Sequence, residues 1–349
     1  MQEQSPDIGA LVRGIRTAVS PFRSVLRELH GSYSSVSDGT VADYIPELAG
    51  ADPAWFGIAA AGAADGQLFE AGHSGLEFTI QSIAKPFVFG LALEDNGREN
   101  VAERVGVEPT GDAFNSIIKL DEGSHRPHNP MVNAGAIATV ALLKGDTQVA
   151  RLNRLLDMFG RYIGRRPKVD VAVFASERHT GHRNRAIAHL LLNFGMLPPN
   201  VEEVLDLYFQ ACSVLVTARD LAMMAATLAN GGVNPLTGER ALQVQYVQDV
   251  LSVMYTCGMY DYAGQWAYEV GLPAKSGVAG GVITVVPGRM GVAVFSPPLD
   301  SHGNSVRGVA VCRELSRRFG LHCFSSVPAV DAEQLPWPAP GAATGPQPA

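Results

Sequence analysis

Strand-like segments stand at both ends of this chain, and the long stretch between them reads as helix. "WFGIAAA" (55–61), the turn-like "ADGQ" and "LFEAG" (68–72) predict a hairpin, and a short "LEFTI" (76–80) follows. From about Ile83 to Asn230 helical periodicity dominates, punctuated by Gly and Pro. The clearest helix has an apolar stripe of Leu221, Met224, Ala225 and Leu228, with Thr217 as its N-cap and Gly231 as its stop. Strands return near Ala274, where "KSGVAGGVITVVP" and "RMGVAVFSPP" predict two paired strands joined by the turn "PGRMG". An amphipathic helix around "VRGVAVCRELSRRFG" follows. The economical architecture is an α+β one: a sheet built from both terminal segments, flanked by helices, with an all-helical domain inserted.

This pattern divides the chain. The catalytic unit is expected at 25–324, with a sheet subdomain at about 25–80 plus 245–324 and a helical subdomain at about 81–244. Residues 1–24 read as a helical extension. An amphipathic helix is expected over 8–30, carried by Ile8, Leu11, Val12, Ile15, Val19, Val25 and Leu26 and interrupted or kinked at Pro21. The Pro/Ala/Gly-rich residues 325–349 read as a disordered tail.

Composition narrows the function. With 349 residues, 46% of them apolar, a large core is affordable. No window approaches a membrane span, and "MQEQSPDIGA" lacks the basic start and apolar core of a secretory signal. A net charge of −7 argues against nucleic acid or an anionic membrane as partner. A cytoplasmic protein is expected. Cys212, Cys257, Cys312 and Cys323 form no CxxC pair and read as buried free thiols. His179 and His182 stand near Glu177 in "SERHTGHR", but zinc sites need tighter spacing and further ligands, so no metal is expected. There is no phosphate loop or dinucleotide fingerprint, so no cofactor is implied.

The chemistry begins at "QSIAKPF" (81–87). A serine hydroxyl attacks well only when a neighbour takes its proton. If Ser82 opens a helix, Lys85 projects from the same side one turn later, and the helix start offers N–H groups to a developing oxyanion. Pro86 suits a first turn. Ser is also a favoured N-cap, so this stretch alone supports a capped helix better than an active site. The second clue is "PAKSGVAGG" (273–281). A K-S/T-G strand after an S-x-x-K helix is the paired signature of penicillin-recognising serine enzymes. The N–H of Val278 can then complete an oxyanion hole with that of Ser82. Lys275 reads as orienting the strand and the cleft's field rather than as a base.

The middle motif of the penicillin enzymes, S-D-N or Y-x-N, is missing. In its place stand "VADYIPELA" (41–49), "RPHNPMVNAGAI" (126–137), "SERHTGHRN" (176–184), "LDLYFQACS" (205–213) and "CGMYDYAGQ" (257–265). Together with the S-x-x-K and K-S-G blocks, these resemble the serine-dependent glutaminase family over residues 25 to 324. The resemblance implies a β-lactamase-like (penicillin-binding-protein-like) fold, hydrolysis of L-glutamine to L-glutamate and ammonia, and a homotetramer or homodimer. It makes Ser82 the nucleophile, Lys85 its partner, Tyr260 (rather than the nearby Tyr262) a proton-exchanging tyrosine and Val278 the oxyanion donor. Tyr44, Gln81, Asn133, Glu177, Asn184 and Tyr208 match the substrate-contacting set. These residue types suit a zwitterion: Glu177 for its ammonium, Asn133 and Asn184 for its carboxylate, Tyr44 and Tyr208 for hydroxyls. Whether Lys85 or Tyr260 takes the serine proton stays open at this point. So do two other classes, a penicillin-binding or β-lactamase-like hydrolase and a non-catalytic glutamine sensor. The resemblance further implies that Asn115–Pro127 is a mobile loop sensing assembly state.

Overall fold

The two ends of the chain meet at the centre of one antiparallel sheet. The computed structural model describes residues 20–110, 123–326, 331 and 334–337. Helix α1 (Pro21–Ser34) leads to β1 (Gly57–Gly62), β2 (Leu68–Gly72) and β3 (Phe78–Thr79). Helices α2 (Ala84–Ala102), α3 (Asn133–Ala141), α4 (Gln148–Ile163), α5 (Val171–Thr180), α6 (His182–Asn193) and α7 (Val201–Cys212) come next. Strand β4 (Leu215–Val216), α8 (Ala218–Ala229), α9 (Val244–Cys257) and α10 (Ala263–Glu269) lead to β5 (Ala274–Gly277), β6 (Gly281–Val286), β7 (Met290–Phe295) and α11 (Val306–Phe319). The sheet order is β2-β1-β7-β6-β5, every pair antiparallel. Gly57 of β1 faces Phe295 of β7, joining residues far apart in the chain.

Both faces of the sheet are covered, because successive side chains alternate. Ile58, Ala60, Val282, Val292 and Val294 pack with α1, α10 and α11. Ala59, Ala61, Ile283, Val285 and Ala293 pack into the helical side. Helix α8 lies on that second face, started by a reciprocal cap in which Thr217 N donates to Asp220 Oδ2 at 2.8 Å and Asp220 N to Thr217 Oγ1 at 3.1 Å. It ends at Gly231, whose φ of +63° is left-handed.

Several expectations need correction. The C-terminal strand region holds three strands, because Gly277–Gly281 folds "KSGVAGGVITVVP" back on itself as β5 and β6. The "LEFTI" strand stays out of the main sheet and pairs β4 instead, Phe78 opposite Val216. Around residue 244, α8 packs on the sheet, and α9 packs against α2, α10 and β5. The first helix is described only from Pro21, the proline sitting in its first turn, and it runs on to Ser34; residues 8–19 of the expected helix lie outside the described residues. The tail is not uniformly loose, since Leu335 and Trp337 are buried against Phe22 and Phe69. Cys212, Cys257 and Cys312 are buried, but Cys323 is exposed just past α11. Residues 115–122 of the expected sensing loop lie outside the described residues.

Candidate active site

Ser82 sits in a single 3-10 turn, Gln81–Ile83, between β3 and α2, rather than at a side-chain N-cap. The turn is forced: Gln81 holds φ +49°, a left-handed value that costs a non-glycine residue on the order of 1–3 kcal/mol. Its side chain offsets part of this, donating from Nε2 to Thr79 Oγ1 at 3.2 Å. The end of β5 closes on the same turn, where a Cβ on Gly277 would lie 3.0 Å from the Ile80 carbonyl. That contact brings the Val278 end of β5 beside Ser82.

Lys85 is one turn further, buried to 3% exposure. Its Nζ donates to Asn133 Oδ1 at 2.7 Å and to the Met131 carbonyl at 3.2 Å. Burial pulls its pKa down to about 8. Asn133 is the first residue of α3, yet it does not cap it; its Nδ2 donates to Asn184 Oδ1 at 3.0 Å. Glu177 is a buried carboxylate on α5, not a loop charge. Tyr44 donates to Glu177 Oε1 at 2.8 Å and reaches Gln81 Oε1 at 3.4 Å. Burial pushes the Glu177 carboxyl upward, against the hydrogen bonds from Tyr44 and Gln81. Tyr208 is buried on α7 beside Cys212, one turn later on the same face.

Tyr260 and Tyr262 face opposite ways. Tyr260, at φ +55°, donates to the Ser276 carbonyl at 3.1 Å and shares a hydrogen bond with Ser82. Tyr262 donates to Glu269 Oε2 at 2.9 Å. Burial drives the Tyr260 phenol upward. Beneath its ring, at 4.1 Å from the centroid, lies Lys275 Nζ, which also donates to the carbonyls of Gly258 (2.9 Å) and Ser276 (2.7 Å). Burial, and then the charge of Lys85, hold the Lys275 pKa well below the usual lysine range.

Tyr44, Gln81, Ser82, Asn133, Glu177, Asn184, Tyr208 and Val278 line one cleft of about 450 Å³. Lys85 and Tyr260 stand outside this lining but bond to residues within it. Asp43, Arg183, Cys212, Leu299 and Gly303 also line the cleft and were not foreseen. Only Cys212 carried a usable signal, its helical spacing from Tyr208. Among the described residues no three His, Cys, Asp or Glu converge on a metal site, and no helix is long and apolar enough to cross a membrane.

A strand, a forced turn, a buried lysine and a K-S-G strand thus converge on one serine. The family model described as Glutaminase matches residues 39–324. The chain belongs to the glutaminase family. It is similar to a "Glutaminase" of Trichormus variabilis, 63% identical over 88% of this chain and 92% of that protein. A "Glutaminase" of Corynebacterium efficiens is 44% identical over 88% of this chain and 72% of that one. Among solved structures, Mglu in its glutamate form superposes with a TM-score of 0.84 at 47% identity, over 88% of this chain and 71% of Mglu. The probable glutaminase ybaS gives 0.84 at 41%, over 86% and 97%. This glutaminase-family chain therefore has the β-lactamase-like fold, and it is an amidohydrolase acting on a linear amide.

Proposed function

We propose that the chain hydrolyses L-glutamine to L-glutamate and ammonia through a glutamyl-enzyme on Ser82. The observation that carries this reading is the cleft that sets an anion, Glu177, and two amides, Asn133 and Asn184, around Ser82. A free amino acid needs both kinds of partner, and a substrate without an α-ammonium would leave the buried Glu177 without a cation.

Lys85 takes the Ser82 proton. Its lowered pKa gives a substantial neutral fraction near pH 8, whereas a Tyr260 phenolate is made costly by burial. Ser82 Oγ bonds to the side-chain carbonyl carbon, and the oxyanion is met by the N–H groups of Ser82 and Val278. The C–N bond breaks as the leaving nitrogen receives a proton from Tyr260, which is in turn reprotonated by Lys85. Water then attacks the ester carbon and gives its proton to Lys85, which passes it to Ser82 Oγ as the ester C–O bond breaks, freeing Ser82 and glutamate. Tyr44 and Tyr208 contribute hydroxyls to the substrate's charged ends, and Gln81 holds Tyr44. The resemblance adds a homotetramer or homodimer, which analytical ultracentrifugation tests, and the composition adds a cytoplasmic location, which cell fractionation tests.

The experiment is ammonia release from L-glutamine, L-asparagine and D-glutamine by wild type and Ser82→Ala. Turnover of L-glutamine, lost in the variant, is expected. Full activity in Ser82→Ala sinks the covalent scheme. Binding without release favours a sensor, and labelling of Ser82 by a fluorescent penicillin without glutamine turnover favours a penicillin-type hydrolase.

A further inference from the structure

One wall of the cleft is a rim of loop rather than helix. Leu299 and Gly303, from the loop after β7, line it together with Asp43 and Tyr44. The two stretches are laced by backbone: Thr40 N donates to Leu299 O at 2.9 Å and Leu299 N to Thr40 O at 2.8 Å. The loop is stiff within itself, since Asp300 Oδ1 accepts from the N–H groups of His302 and Asn304, each at 2.9 Å. From this rigid piece His302 reaches out, and its Nδ1 lies 3.1 Å from Asp261 Oδ2.

Asp261 follows Tyr260, and that turn is a fixed post. Tyr260 bonds to Ser276 O, and Lys275 holds Gly258 O, so both ends of the turn are tied to β5. The rim loop is the piece whose position the ion pair sets. The groups facing the His302 ring are the carboxylate of Asp261 and the Tyr262 ring at 5.6 Å, whose hydroxyl is engaged by Glu269 and Arg313, while the Asp300 carboxylate accepts from the His302 backbone N–H.

We propose that Asp261–His302 is a latch holding the 298–305 loop, and through it Tyr44, at the mouth of the cleft, which makes His302 a positioning residue for substrate binding. This rests on the reading of the cleft as the glutamine site. The pair is partly exposed, 41% for His302 and 30% for Asp261, so it acts as a modest bias and not as a scaffold.

The test measures KM and kcat for L-glutamine in wild type, His302→Gln, Asp261→Asn, the double variant and His302→Lys. Each of the first two variants raises KM about 2- to 5-fold with kcat nearly unchanged. The double variant is no worse than either single, because the two residues act as one unit. His302→Lys keeps the wild-type KM. Unchanged KM in the single variants, additive losses in the double, or no rescue by lysine overturns the latch. Wild-type ammonia release is read first in the same assay. A failed substrate reading shows there and takes the latch with it, whereas a failed latch shows only in the variants.

Discussion

Lys85 Nζ donates to Asn133 Oδ1 at 2.7 Å, so the buried cation beside Ser82 is held by a residue that also lines the substrate cleft. Base and pocket are thereby coupled. With Lys85 as the base, kcat/KM rises with pH and levels off above about 8. An amide oxygen accepting from the ammonium favours the charged form. Asn133→Ala therefore moves this break to lower pH while raising KM. A pH–rate profile of ammonia release checks it, and an unmoved break removes Lys85 from the base role. The same shift sets a stability slope. Between about 8 and 10.5 the unfolded chain keeps the Lys85 proton that the folded chain lacks, so stability rises with pH across that window. Lys85→Met loses that slope in melting curves taken across the window.

Glu177 sets the acidic side. Its carboxyl is held above the ordinary range by burial and must be ionised to receive an ammonium. Below the Lys85 break, a second and steeper fall of kcat/KM in acid thus begins at a higher pH than an exposed carboxylate would give. Tyr44 donates to Glu177, and that bond favours the carboxylate. Tyr44→Phe moves the acid limb upward and raises KM by roughly tenfold, the worth of a hydrogen bond to a charged group. An acid limb unchanged in Tyr44→Phe disconnects Glu177 from binding.

What the sequence revealed and what it hid have physical causes. The continuous apolar runs "GIAAAG" and "MGVAVF" betray the sheet, because both strands bury both faces. The Thr217 cap and Gly231 stop are local chemistry and are read directly. The split of "KSGVAGGVITVVP" was hidden because the glycines that reverse the chain also read as strand. The role of α8 was hidden because a helix apolar on every side does not say what it packs against. For the site, long motif blocks placed Tyr260 over Tyr262, a choice spacing could not make. Leu299 and Gly303 reach the cleft only through the backbone pairing of Thr40 with Leu299, a contact between distant segments without a side-chain signal.

The turn that presents Tyr260 depends on a close approach. A Cβ on Gly258 would lie 1.8 Å from the Ala274 carbonyl and 2.5 Å from that of Met254. Gly258→Ala must push the turn off β5, lengthening the Lys275 bond to Gly258 O and displacing Tyr260 from Ser82. A stability loss of about 1–3 kcal/mol is expected, as for other overpacked sites, with kcat falling at temperatures where the variant is fully folded. Gly264→Ala, with open space around its Cβ, is the control and leaves both intact. Denaturant melts and kcat measured side by side decide the matter.

Trp337 lies beyond the matched family region and fastens the opposite end of the sheet. Its ring meets Phe22 of α1 at 5.6 Å and Phe69 of β2 at 5.2 Å, both edge-on. Nε1 donates to Asp65 Oδ1 at 3.3 Å, and its carbonyl accepts from Arg289 at 3.2 Å. The ring sits where a Cβ on Gly62 would be, and Gly62 pairs with Met290. The active-site end of the same strands is marked by Gly57, Phe295 and Gly281. Trp337→Ala therefore opens a cavity under α1 and leaves Asp65 without its indole partner, at about 3–5 kcal/mol. Because the cleft lies at the far end of the sheet, kcat and KM measured well below the melting transition stay at wild-type values. Trp337→Phe, which keeps the edge-on contacts and loses only the bond to Asp65, recovers most of the stability. Equal melting temperatures in wild type and Trp337→Ala would remove the strap from the fold's energetics.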